Sequence, residues 1–200
     1  MPIPALVLFT VFILVAFGWR SWLQRRRTGS TGFRGISGEP GSLEWLAGLG
    51  FVAALAIAVA APALQLLGAV DALRAPWLPG AGIAVAVTGI IATVYAQIDM
   101  GDSWRVGVDA GETTTLVRSG AFAVVRNPVF SAMMVFAAGM LLVTPNVVAV
   151  VGFILLVASI EVQVRLVEEP YLLGKHGDSY RDYCSSVGRF APGVGRSVSR

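Results

Sequence analysis

The sequence predicts an all-α, polytopic membrane protein with about five transmembrane helices, the last two a helical hairpin, followed by a cytoplasmic C-terminal helical tail. Three observations carry this prediction. Hydrophobic residues make up 56% of the 200 residues and charged residues only 14%, where a soluble domain carries roughly 25% charge. Mean hydropathy is +0.73, and the apolar residues gather into five runs, as bilayer-crossing segments do. Lysine and arginine are sorted: residues 20–34 hold five, 99–127 three and the tail from Arg165 six, against one in 71–79 and none in 144–146.

Taken in order, Pro2 to Leu23 is apolar up to Arg20 and is followed by Arg25, Arg26 and Arg27. Positive charge after the apolar run is the reverse of a secretory signal, so this reads as an uncleaved first span. Residues 28–42 are rich in Gly, Ser and Thr, with Pro40, and read as a mobile loop. Leu43 to Val70 is long enough to span, and Pro62 is expected to kink or divide it. After Asp71, Arg74, Pro76, Pro79 and an interfacial Trp77, Gly80 to Ile98 forms the third run. Its Gly82, Ala84, Ala86, Gly89, Ala92 and Ala96 permit close helix contact.

Residues 99–126 are polar, with Thr113 to Val117 read as a short extended or amphipathic surface piece. Asn127-Pro128 opens a fourth run to Val143, proline being well suited to a first helical turn. Thr144-Pro145-Asn146 breaks the chain before a fifth run, Val147 to Ile160. These last two runs fall short of the ~20 residues a span needs. They read as the two arms of a hairpin whose second arm continues past Glu161.

The charge sorting places the N-terminus outside and the C-terminus in the cytoplasm, expected at the plasma (inner) membrane. The 99–127 loop and the 161–200 tail then share the cytoplasmic face. Net charge is +3 with a pI near 9.5. Because the basic residues flank apolar runs, they point to membrane lipids, not nucleic acid. Cys184 is the single cysteine and His176 the single histidine. That excludes an intrachain disulfide, a Cys/His zinc cluster and a haem held by two histidines, so no metal is expected. Neither residue has a catalytic partner in view, and both read as surface groups. No Gly-x-Gly-x-x-Gly follows a strand, so a Rossmann cofactor site is not expected.

The candidate site lies where the fifth run turns polar. Glu161, Arg165, Glu168 and Glu169 fall at i, i+4, i+7 and i+8, on one helical face. Carboxylates at the mouth of a membrane helix require something cationic opposite. Arg126-Asn127-Pro128 sits at the matching edge of the hairpin's first arm. The planar fork of Arg126 suits a ligand carboxylate or phosphate. Glu168 and Glu169 suit an ammonium, a ribose diol or an arginine. An interfacial ion pair that only fixes the hairpin fits the spacing equally well. Tyr180 and Tyr183 share a face of a tail helix, which also fits an amphipathic helix lying on the membrane. Trp104 and Arg105 pair an aromatic with a cation below the third run, as an interfacial anchor would.

The tail residues Glu168-Glu169, Leu172, Gly177, Tyr180, Tyr183, Arg189-Phe190 and Pro192 resemble a family signature. It is the Glu-Glu-x-x-Leu, Gly-x-x-Tyr-x-x-Tyr, Arg-Phe-x-Pro signature of the isoprenylcysteine carboxyl methyltransferase family. Upstream, Leu116-Val117, Gly120, Phe122, Val125-Arg126-Asn127-Pro128 and Phe130 are similar to that family's Leu-Val-x-x-Gly-x-aromatic-x-x-Val-Arg-His-Pro-x-Tyr. The resemblance covers about residues 98–192. It implies an integral membrane methyltransferase that takes S-adenosyl-L-methionine from the cytoplasm and a lipophilic small-molecule or lipid acceptor, with a carboxylate among the candidates, from the bilayer.

By motif position, Arg126, Asn127, Pro128, Phe130, Glu168, Glu169, Tyr180 and Tyr183 would line the cofactor pocket. Glu168 and Arg189 would be the catalytic candidates, one of them orienting the acceptor, and Trp104 and Arg105 would mark the acceptor's entrance. Residues 98–200 would form the methyltransferase core and 1–97 three N-terminal spans. Two departures stand out. Asn127 replaces the family's histidine, keeping hydrogen bonds but not basicity near neutral pH. Phe130 replaces a tyrosine. Pro170 is expected to end the helix near Glu169. The alternatives are a membrane reductase of related fold using NADPH and a non-enzymatic membrane subunit.

Overall fold

A computed structural model describes residues 1–32, 35–36, 38–73, 77–101, 104 and 116–197. Arg105 and the Thr113–Thr115 part of the expected surface piece lie outside the described residues. Among the described residues the chain is helical, without strands. Helix α1 (Pro2–Ile13), a π-helical turn (Leu14–Trp19) and α2 (Arg20–Thr28) run on as one helix, followed by α3 (Leu43–Leu66), α4 (Leu78–Met100) and α5 (Pro128–Val143). Next come α6 (Val147–Val162), a second π-helical turn (Gln163–Glu168), α7 (Glu169–His176) and α8 (Asp178–Ser186).

Among the described residues, four helices are long and apolar enough to cross a membrane: Pro2–Thr28, Leu43–Leu66, Leu78–Met100 and Val147–His176. Helix α5 is apolar but has only 16 residues. Along α1 and into the π-helical turn, Ile3, Val7, Val11 and Leu14 form an exposed apolar stripe at helical spacing, as a lipid-facing surface requires.

Neither Pro62 nor Pro170 divides its helix. Pro62 is buried inside an undivided α3, one turn before its end. There Asn146 donates to the Ala61 carbonyl at 3.2 Å and to Gln65 Oε1 at 3.0 Å, tying that turn to the α5–α6 connection. Pro170 does not end the helix at Glu169, whose φ of −63° and ψ of −44° are helical. The π-helical turn just before it supplies the reason. Widening the turn moves the preceding carbonyls away from the proline ring and removes their need for its missing N–H.

The hairpin arms pack mainly on other helices, α5 on α4 and α6 on α3. The α4–α5 seam is built from small residues. A Cβ at Gly82 would stand 2.6 Å from Val143 N and 2.8 Å from the Gly139 carbonyl, and one at Gly89 would strike the Phe136 backbone. Helix α1 closes on this pair through Phe12, which stacks on Phe136 at 4.1 Å and 10°. The larger side chains of that core also include Phe9, Met133, Met140 and Val143.

The two ends of the bundle differ. At one, Met1 N reaches the Val143 carbonyl and Leu73 N the Pro145 carbonyl. At the other, Arg20 donates to the Gly101 carbonyl, Asp99 accepts from Ala121 N, and the C-terminal tail folds back on Val125–Asn127. The polar segments therefore converge at one end.

Candidate functional site

The tail is held to the start of α5 by backbone pairing. Val125 and Gly188 form a parallel bridge. Arg126 N donates to the Gly188 carbonyl at 2.8 Å and Asn127 N to the Arg189 carbonyl at 3.1 Å. Side chains add to it: Asn127 Nδ2 donates to the same Arg189 carbonyl at 3.2 Å, and Ser131 Oγ to the Phe190 carbonyl at 2.8 Å. The two halves of the motif, joined here by residues 62 apart in sequence, are thus one structural unit.

Arg126 is its centre and is only 5% exposed. Nη1 donates to the Cys184 and Val187 carbonyls, and Nη2 to the Gly195 carbonyl and to Glu169 Oε1 at 2.8 Å. Glu169 also takes a two-pronged bond from Arg189, with Nε on Oε1 and Nη2 on Oε2, each at 2.7 Å. That bonding raises the already high pKa of Arg189, so this guanidinium stays charged at any working pH. Arg126 and the carboxylate pair do meet across the hairpin, and they meet through Glu169. Arg126 Nε is buried with no hydrogen-bond partner among the described residues.

Glu168 and Glu169 then part company. Glu168 lines a cavity of about 530 Å³, while Glu169 and Arg189 are not in its wall. Arg126, Asn127, Pro128, Phe130, Tyr180, Tyr183 and Trp104 all line it. Of the residues singled out from sequence, eight are therefore brought to one cavity, two stand behind it, and Arg105 is outside the described residues. The volume falls in the range of small-molecule sites, ~300–1,000 Å³. Both π-helical turns contribute to the wall, through Ala16 and Phe17 of the first and Gln163 and Glu168 of the second. Such turns recur at functional sites because they re-aim side chains out of helical register. Adjacent residues on a helix stand ~100° apart, so Glu168 reaches the cavity while Glu169 reaches the arginines.

Helix α8 buries its tyrosine face against protein. Tyr180, Tyr183 and Cys184 are 3%, 5% and 7% exposed and pack on Leu116, Leu172 and Val187. Tyr183 donates to the Phe122 carbonyl at 2.5 Å. Burial pushes the Tyr183 phenol up to about 12 and raises Tyr180 further, so both are neutral donors at physiological pH. Cys184, read from sequence as a surface thiol, is buried, and burial raises its pKa. Its position at i+4 from Tyr180 puts it on the buried face. His176 is likewise not a plain surface residue, since its Nε2 is buried.

Several wall residues escape sequence reasoning. Gln97 of α4 is 2% exposed; its Nε2 donates to the Ala16 carbonyl at 2.8 Å, and its Oε1 has no partner among the described residues. A lone amide inside an apolar run was the available signal. Arg20, which stands behind the wall residue Trp104 and not in the wall itself, is 1% exposed, with its guanidinium 4.9 Å from the centre of the Trp104 ring. Three arginines soon after it in sequence disguise it as an ordinary flanking charge. Tyr171 also lines the cavity, as do Gly35 and Ile36 of the loop after α2.

The phospholipid methyltransferase family model matches residues 78–179, from the start of α4 to the start of α8. Among solved structures, the chain is similar to the eukaryotic intramembrane Ras methyltransferase ICMT (isoprenylcysteine carboxyl methyltransferase). The TM-score is 0.60 at 19% identity, covering 98% of this chain and 70% of that one. A comparison with curated proteins finds no match.

Proposed function

This chain belongs to the phospholipid methyltransferase family, and from that premise we propose that it transfers the methyl group of S-adenosyl-L-methionine to a lipophilic acceptor at the cytoplasmic membrane face. The observation that carries the reading is the cavity. The family's motif residues Arg126, Asn127, Tyr180 and Glu168 line the same space as the apolar Phe17, Phe51 and Val52 of the N-terminal helices. One space thus offers a polar end for a charged cofactor and apolar walls for a lipid.

The residues present suit that cofactor. A sulfonium and an ammonium are both cations, and the wall holds the Glu168 and Glu44 carboxylates. A carboxylate needs a donor, and Asn127 and Tyr171 put hydrogen-bonding side chains in the same wall. When bound, S-adenosylmethionine supplies an activated methyl group on a sulfonium. The chain's part is to align and to exclude water. The Arg126–Glu169–Arg189 cluster fixes the tail so that Tyr180 and Tyr183 close the polar end. In this reading residues 98–200 hold the cofactor and residues 1–97 complete the acceptor's wall. Helix α5 counts as a fifth span, the N-terminus lies outside, and the tail lies in the cytoplasm. The sorting of basic residues and the convergence of polar segments at one end support this orientation. The acceptor is taken up from membrane lipids or from lipophilic small molecules dissolved in them.

Calorimetric titration of the purified protein in detergent tests the reading. S-adenosylhomocysteine is expected to bind at micromolar concentration and NADPH not to bind. No binding of S-adenosylhomocysteine up to millimolar concentration overturns it, and binding of NADPH alone replaces it with the reductase.

A further inference from the structure

The cavity runs inward along three helices. Gly50 faces Ser159 and Gly152 faces Ile57, so α3 and α6 are antiparallel and Glu44 stands near the level of the second π-helical turn. From Glu44 the wall continues along α3 to Leu55, about 16 Å at 1.5 Å per residue. On α5 it passes from Asn127 to Met133, and towards α6 from Glu168 back to Ile160. Each helix thus leads from a polar residue to an apolar one.

A second cavity, about 40 Å³, lies between α1, α3, α5 and α6. Leu55 and Met133 line both cavities. Ala58 and Ala137, one turn further along the same two helices, line only the second. Its one polar side chain, Thr144, spends its hydroxyl on the Met140 carbonyl at 3.2 Å. A space of this kind stays dry and suits only an apolar occupant.

We propose that Leu55 and Met133 form the floor of the acceptor's site and set the length of apolar chain it takes. The inference rests on the proposed function for the identity of that chain as the lipophilic acceptor's. The alternative route for the chain is outward into the bilayer, past Val52, a wall residue that is 51% exposed.

Calorimetric titration of saturated 1-alkanols, from 1-octanol to 1-octadecanol, into the full chain in phosphatidylcholine nanodiscs separates the two routes. Free aqueous alcohol is the reference and empty nanodiscs are the blank. Wild-type affinity is expected to rise about fourfold per methylene up to one chain length and to stop there. Met133→Ala joins the cavities and moves the break about two or three carbons longer, the room that ~40 Å³ supplies. Leu55→Ala moves it the same way and serves where Met133→Ala does not fold. Unchanged affinity for 1-octanol reports a folded variant. Ala137→Leu, which fills the second cavity, leaves the wild-type break in place and cancels the extension in Met133→Ala.

An uninterrupted rise in the wild type overturns the proposal, because the chain then leaves into lipid. So does the absence of saturable binding, or a break unmoved in folded Met133→Ala and Leu55→Ala. A break shortened by Ala137→Leu alone also overturns it, since the chain would already pass the floor. If S-adenosylhomocysteine fails to bind while the break and its shift hold, the methyltransferase reading falls and the floor stands. If it binds and no break exists, the floor falls and that reading stands.

Discussion

Glu169 and Arg189 share a bidentate ion pair, both contacts at 2.7 Å, and the same Glu169 Oε1 takes Arg126 Nη2 at 2.8 Å. The three side chains are 1–17% exposed. One carboxylate therefore ties the start of α5 to the tail that crosses it. Glu169→Gln keeps the shape and removes the charge, leaving two guanidiniums adjacent. The expected loss is about 2–3 kcal/mol, read as a fall in the thermal midpoint of roughly 4–12 °C and as faster trypsin cleavage after Arg189 and Arg196. A midpoint unchanged by this substitution would show that the cluster does not brace the tail.

Glu168 carries the opposite expectation. It lines the cavity, so Glu168→Gln should act on ligand more than on folding. Affinity for S-adenosylhomocysteine should fall about tenfold or more, with the midpoint within roughly 3 °C of wild type. The pair is best measured side by side, because the assignment fails if the two substitutions behave alike.

That contrast marks what the sequence could reveal. Apolar runs and charge sorting are long-range averages, and they located all five apolar helices to within a few residues. The hairpin reading also brought Arg126 opposite the carboxylate pair, where it meets Glu169. A π-helical turn is a local backbone choice with no composition of its own, so its place before Glu169 could not be read, whereas the divergence of Glu168 and Glu169 was readable, since neighbours on a helix stand ~100° apart. Pro170 misled for the same reason, since its penalty assumes an ordinary α turn. Burial of Arg20 and of Gln97 depends on which helices meet, which a single run does not disclose. Cys184 was within reach. Taken with Tyr180 and Tyr183 at i, i+3 and i+4, it completes a buried face.

The α4–α5 seam makes a prediction about backbone approach. At Gly139 a Cβ would overlap the Ala86 backbone, whereas at Gly174 nothing lies within 4 Å. Gly139→Ala must push two helices apart and should cost about 1–3 kcal/mol. Gly174→Ala, on the exposed part of α7, should be neutral or stabilising by up to ~1 kcal/mol. Thermal unfolding in detergent compares the two directly. Equal midpoints would mean that the seam tolerates separation and that small residues there are incidental.

Cys184 offers a label-based readout of the docked tail. It is 7% exposed, its carbonyl accepts from Arg126 Nη1 at 3.1 Å, and burial raises its thiol pKa. Alkylation proceeds through the thiolate, so a raised pKa means less reactive species at any pH below it. The rate should therefore begin to climb only above the range of an ordinary thiol. At pH 8 the folded protein is expected to react with iodoacetamide at least about tenfold more slowly than the denatured chain. Arg126→Ala removes the guanidinium from the Cys184, Val187 and Gly195 carbonyls and from Glu169. The tail then loosens, and the same cysteine should become reactive in the otherwise folded protein. Glu169→Gln should give a smaller increase, because Arg126 keeps its three carbonyl acceptors. Ranking wild type below Glu169→Gln below Arg126→Ala in alkylation rate is the expected order, and any rate for Arg126→Ala equal to wild type would place the anchoring of α8 elsewhere.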